Sequence, residues 1–227
     1  MNNNIIRKSE VENDGDISPK APLQATLSLP DPVLNDYYTD LNNRIVWITQ
    51  NFGDTCIDAL HFILQCNIED YGKSVDERRP IIIYIVSNGG SVEAMQSLIG
   101  CIQASKTPVA TVNICTAYSA AAMVLSAGTK GYRYALRNTN TMIHLGYTSI
   151  QGTNGQVDSA KKFFDALDKR NMEDLFKRTS IDAKRHKAIM HGDDVYFTED
   201  DAIACGIVDH VIDNLDDLLW MIKQQEK

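Results

Sequence analysis

Residues 114 to 124 read ICTAYSAAAMV, a single hydroxyl, Ser119, among small side chains just after a β-branched stretch and at the first turn of an Ala-rich helical segment. A helix start presents unpaired N–H groups and a partial positive charge, which favour an anion forming beside that hydroxyl. The Ala120 amide is the natural donor. A second can come from SNGGS, where Gly89 and Gly90 close an apolar run and permit a turn that larger residues cannot follow. A serine hydroxyl is a poor nucleophile until a base takes its proton, and that base needs a carboxylate to orient it. His144 in TMIHLG, framed by Ile143 and Leu145, supplies an imidazole, and Asp193 and Asp194 in HGDDVYFTEDDA each supply a carboxylate. Together they would carry out acyl transfer, with an acid buried beside the imidazole. Taken singly, each has an ordinary reading: a tight turn, a strand-end histidine bonded to a carbonyl, a loop carboxylate.

Such residues work only if a scaffold positions them. The 227 residues, 44% of them hydrophobic, suit one sizeable α/β domain. Residues 1–26, rich in Asn, Ser, Asp, Glu and Pro, read as a flexible N-terminal arm, leaving 27–227 as a single domain. RIVWITQ reads as a strand and GDTCIDALHFILQCNIED as a helix with residues 57, 60, 63 and 64 on its apolar face and His61 at a core edge or exposed. After the charged loop YGKSVDERRP, IIIYIVSNGGS reads as a strand buried on both faces. Helix 91–104, strand TPVATVNIC, helix 118–127 and strands YRYALRN and TMIHLG follow. This alternation predicts a mostly parallel sheet with right-handed crossovers. One long amphipathic helix spans QVDSAKKFFDALDKRNMEDLFKRTS, with apolar residues at 157, 160, 163, 164, 167, 172, 175 and 176. A short helix near 182–190, a helix capped by Thr198, the strand IVDHVI and a terminal amphipathic helix complete the reading.

A formal charge of −8 and the lack of any long Lys/Arg run argue against nucleic acid as a partner. The start MNNNIIRKSE lacks the apolar centre of a signal peptide and no window reaches the length of a membrane span, so the sequence predicts a cytoplasmic protein. The five cysteines are odd in number and widely spaced, as expected of small core residues in a reducing compartment. His186 and His191 are the nearest approach to a ligand pair, and neither a metal nor another cofactor is expected.

In their order, serine then histidine then aspartate, these segments resemble the Clp protease proteolytic subunit, ClpP, a self-compartmentalised serine peptidase. IIIYIVSNGGS is similar to that family's strand and Gly-Gly turn, AYSAAAMVLSAGTKGYRYALRNTNTMIH to its serine-to-histidine segment, and DDVYFTEDDAIACGIVDHVI to its aspartate region and closing strand. The resemblance runs from about residue 34 to 213. It implies a ClpP/crotonase-like α/β fold with a long protruding handle helix, here the segment after YTSIQGTNGQ. It implies Ser119 as nucleophile, His144 as base and then acid, Asp194 as the orienting acid, and the Gly90 and Ala120 amides as oxyanion donors. It further implies stacked seven-membered rings of this chain, unfolded polypeptides as substrates, and an AAA+ unfoldase of the ClpX, ClpA or ClpC type. That unfoldase would dock on Ile82, Tyr84, Val112, Ile114, Tyr134, Leu136 and Ile212, with the arm near the axial pore.

The sequence departs from the family at Asn88, where proline is usual, and at Thr116 and Tyr118, where glycine and alanine are common. Leu145 and Gly146 replace a Gln-Pro pair, and Tyr118 is expected to reshape the substrate cleft. The alternatives are a catalytically inactive ring subunit and a crotonase-type acyl-CoA enzyme, which would use carboxylates in place of the Ser-His pair.

Overall fold

Alternation along one buried strand sets the architecture. In the computed structural model, which describes residues 31–49, 52–146 and 149–218, strand β2 (Ile81–Ser87) sends Ile81, Ile83 and Ile85 to one side of the sheet and Ile82 and Tyr84 to the other. Before it come helix α1 (Pro32–Asn42), strand β1 (Ile45–Ile48) and helix α2 (Phe52–Glu69). After it come α3 (Val92–Ala104), β3 (Val109–Tyr118), α4 (Ala120–Ala127), β4 (Arg133–Leu136) and β5 (Asn140–Ile143). The chain continues through α5 (Asn154–Arg178), α6 (Ala183–His191), β6 (Val195–Thr198), α7 (Glu199–Ala204) and β7 (His210–Ile212). The expected arm, 1–26, and most of the expected terminal helix lie outside the described residues.

The strands form one sheet in the order β1-β2-β3-β4-β7, all parallel, as the strand–helix alternation implied. β3 is long enough to serve two neighbours. Thr111–Asn113 pairs with β4, and Thr116–Tyr118 pairs with β5, to which β6 adds antiparallel. Asn113, fully buried at the fork, holds it: its Nδ2 donates to Asn140 O at 3.0 Å and its Oδ1 accepts from Cys115 N–H at 3.2 Å.

One face of the sheet carries the main core, packed under α2, α3 and α4, and the other carries a smaller cluster. All seven residues of the expected unfoldase surface lie in that second cluster, and Ile82 and Val112 are entirely buried within it while Ile114, Tyr134 and Leu136 are partly open. Trp47 packs against Tyr84 with ring centroids 4.8 Å apart and the rings tilted by 44°.

Several expectations need correction. The inward stripe of α2 is Phe52, Cys56, Ala59, Ile63 and Cys66, while Ile57 and Leu64 are about half exposed. Small Cys and Ala side chains let α3 approach closely, near enough for the Cys101 thiol to reach Leu60 O at 3.9 Å, and this packing outweighs the larger apolar residues. His61 is exposed, and Cys115 is an exception to the core reading of the cysteines. Burial lifts the Cys56 and Cys66 thiols to about 12 and about 11. α5 forms as one helix, but it buries only Leu167, Met172 and Leu175, all in its C-terminal half, and Phe163 is 60% exposed. Arg178 anchors that half by donating to Ser126 Oγ and Met123 O on α4.

α1 and β6 were not anticipated. α1 does carry a start signal, Asp31 as N-cap with Pro32 behind it. β6 has four residues and exists through pairing with β5. Among the described residues no helix is long and apolar enough to cross a membrane, and no group of three or more His, Cys, Asp or Glu is placed to hold a metal ion.

Candidate active site

Strand register brings the distant chemical groups together. β3 pairs with β5 as Tyr118↔Met142, and β5 with β6 as Ile143↔Val195, so Ser119 and His144 leave neighbouring strands side by side and Asp194 enters the third across from them. The Ser119 N–H extends the ladder, donating to Met142 O at 2.8 Å. His144 Nε2 lies 2.8 Å from Ser119 Oγ, and His144 Nδ1 lies 3.1 Å from Asp194 Oδ1. A carboxylate only accepts, so Nδ1 donates to it and Nε2 is left to accept the hydroxyl proton. Asp193 sits elsewhere, 3.4 Å from His191 Nδ1. The acid is not buried: the Asp194 side chain is 52% exposed, against 19% for His144. Water therefore screens that pair more than a closed site would.

Ser119 occupies φ 55°, ψ −123°, a conformation that non-glycine residues rarely adopt. Although it is the N-cap residue of α4, its hydroxyl makes no capping bond and so remains available to His144. Strain retained at a turn that aims one hydroxyl at one imidazole is a recognised signature of a functional position.

The glycine turn lies directly against this serine. A Cβ on Gly89, at φ 94°, would fall 2.7 Å from Tyr118 O and 2.9 Å from Ser119 Cβ, so only glycine fits there. The Gly89 N–H is spent on Ser87 Oγ at 3.1 Å, which leaves the Gly90 N–H, unbonded among the described residues, as the turn's spare donor. The Ala120 N–H, first in α4, is the other spare donor. The arrangement can hand a proton from Oγ to Nε2 and offers main-chain donors close to the hydroxyl.

A narrow cleft opens beside Ser119 and His144, walled by Met95, Met123 and Met172, with Asp168 and Asn171 from α5 also lining it. Tyr118, next to the nucleophile candidate, is not among the residues lining this cleft and packs edge-on against Tyr196 with centroids 6.0 Å apart. Sequence reading missed Asp168, because nothing local marks a carboxylate on an amphipathic helix as site-facing. Burial, followed by the nearby Asp165 charge, raises the Asp168 carboxyl above its ordinary value.

Comparison with known proteins adds an independent line. The Clp protease family matches residues 32–215. The chain is 34% identical over 176 residues to an ATP-dependent Clp protease proteolytic subunit 2 of Bacillus licheniformis, covering 76% of this chain and 87% of that one. It is 32% identical over 189 residues to an ATP-dependent Clp protease proteolytic subunit 2 of Rhodococcus jostii, covering 83% and 92%. It is also 32% identical over 186 residues to an ATP-dependent Clp protease proteolytic subunit 3 of a Synechococcus species, covering 78% and 86%.

Proposed function

Since this chain belongs to the Clp protease family, we propose that it is an active serine endopeptidase subunit that cuts unfolded polypeptides inside a chamber built from copies of itself. The observation that carries this reading is the continuous path Ser119 Oγ, His144 Nε2, His144 Nδ1, Asp194 Oδ1, with both steps at hydrogen-bond length. In it, Ser119 Oγ attacks the peptide carbonyl as His144 takes its proton. The oxyanion is held by the N–H groups of Gly90 and Ala120, and His144 then protonates the departing amine. Water, deprotonated by the same imidazole, hydrolyses the acyl-serine. Asp194 keeps the ring in the productive tautomer and stabilises its cation.

Residues 27–227 act as one peptidase domain, with the first 26 residues as an arm near the chamber's axial pore. The exposed first half of α5 serves as the handle between two stacked seven-membered rings, as its unburied Phe163 suggests. An AAA+ unfoldase docks on the partly open part of the second cluster, around Ile114, Tyr134 and Leu136. An inactive ring subunit and a crotonase-type enzyme both lack a reason for a hydroxyl bonded to an oriented imidazole.

The test is hydrolysis of a short fluorogenic peptide and of unfolded casein by the assembled protein, beside Ser119→Ala. Turnover that vanishes in the variant while assembly persists supports the proposal, and equal turnover in both defeats it.

A further inference from the structure

The cleft beside Ser119 has apolar walls and an acidic lining residue. Its walls are chiefly methionine, a side chain that adapts to varied shapes, while Asp168 and Asn171 add polar atoms from α5. Asn171 is already committed, its Oδ1 accepting from Gln96 Nε2 at 2.8 Å. Asp168 is not. Among the described residues, every other buried or half-buried carboxylate has a partner: Asp40 accepts from Trp47 Nε1, Asp70 has Arg44, Asp174 has Lys177, Glu199 has Arg137, Asp201 has Arg185 and Asp209 has Arg133. Asp168 alone of these has no ion pair and no hydrogen bond, and its nearest charged influence is another acid, Asp165. The chain makes room for it beside the site. A Cβ on Gly146, two residues past His144, would lie 3.1 Å from Asp168 Oδ1, so the carboxylate rests against main chain leading from the imidazole.

A half-buried carboxylate without a cation is an incomplete pair, and the cleft it lines opens on the proposed nucleophile. We propose that Asp168 is the specificity residue of this cleft, receiving the ammonium or guanidinium of a substrate lysine or arginine on the acyl side of the scissile bond while the methionine walls cover its methylene stem. Lys and Arg match such a cleft because each carries a charged head on an apolar stem. Selectivity has two arms: attraction of a cation, and repulsion of an acidic side chain at the same place. The inference rests on Ser119 being the nucleophile.

The assembled protein is given unfolded casein, and its cleavage sites are read by mass spectrometry. In parallel, kcat/KM is measured on peptides differing only in Arg, Lys, Leu, Met or Glu on the acyl side of the bond. Sites after Lys and Arg should be over-represented, with basic peptides preferred over Leu about tenfold. Asp168→Asn should lower that ratio about tenfold, Asp168→Lys should turn it toward Glu, and Glu173→Gln, the same charge change on the exposed side of α5, should leave it in place. The parent's own cleavage profile decides the matter even if an Asp168 variant fails to assemble. Active protein with no basic preference, or a ratio unmoved in Asp168→Asn, overturns this proposal and leaves the peptidase reading standing. No cleavage of any peptide and no fluorophosphonate labelling of Ser119 overturns both.

Discussion

At the scale of single residues, the reactive hydroxyl depends on neighbours that cannot be exchanged freely. Ser119→Ala removes only one oxygen, so assembly should persist while peptide hydrolysis falls by about 10³-fold or more, measured as kcat with a protein-only control. Asp194→Asn should cost less. An asparagine can present its amide N–H to the imidazole and favour the wrong tautomer, but the half-exposed position lets water compensate, so a loss of about 10²-fold is expected, below the ~10⁴ seen at fully buried sites. Gly89→Ala should be as harmful as a triad change without touching the triad. Its methyl would sit 2.7 Å from Tyr118 O at a φ that disfavours side chains, so the Ser119 turn must shift, and a misplacement of that kind costs about 10² in rate. A Gly89→Ala protein with parental kcat would contradict the account of that turn.

At the scale of elements, β4 and β7 pair as neighbouring strands, and a buried ion pair ties their starts together. Arg133, 1% exposed, gives Asp209 two short hydrogen bonds from its guanidinium, and the main-chain N–H of Gly131 adds another. Burial alone would raise the Asp209 carboxyl, but these donors and Lys130 outweigh it and hold it well below the usual range. Because the folded value is depressed, the stabilisation is complete above the ordinary carboxylate range and is lost as pH falls through that range and below it. Asp209→Asn should therefore cost about 3 kcal/mol near neutral pH, a drop in Tm of roughly 6–12 °C, and the gap between variant and parent should begin to narrow as pH falls below the ordinary carboxylate range. Thermal melts across that range would show it, and a gap that widens in acid would contradict it.

Elements also explain what the amino-acid order reveals and what it hides. The Ser119, His144 and Gly-Gly segments each carry a local pattern, because the strand or helix beside them is set by nearby residues. The choice between Asp193 and Asp194 depends on the β5–β6 register, which single-chain periodicity does not encode. The inner stripe of α2 was misread because Cys56, Ala59 and Cys66 look weak beside Ile57 and Leu64, yet close helix packing favours small side chains. Asp168 was invisible for a similar reason: its environment is created by Gly146 and the methionines of other elements.

At the scale of the whole molecule, one chain leaves surfaces that a larger assembly would cover. The exposed half of α5 and the partly open second cluster are both such faces, and the proposed function gives them a ring partner and an unfoldase. Tyr134→Ala and Leu136→Ala should lower unfoldase-dependent degradation of folded protein relative to peptide hydrolysis, read as the ratio of the two rates. A ratio equal to the parent's in both variants would remove the second cluster as the docking face. Central to everything is an activated Ser119, and the most direct measurement of it is intact-mass analysis of the assembled protein after exposure to a fluorophosphonate probe. The account predicts one adduct per chain, mapped to Ser119 and absent from His144→Ala. An assembled protein that stays unlabelled while a control serine hydrolase reacts would contradict it.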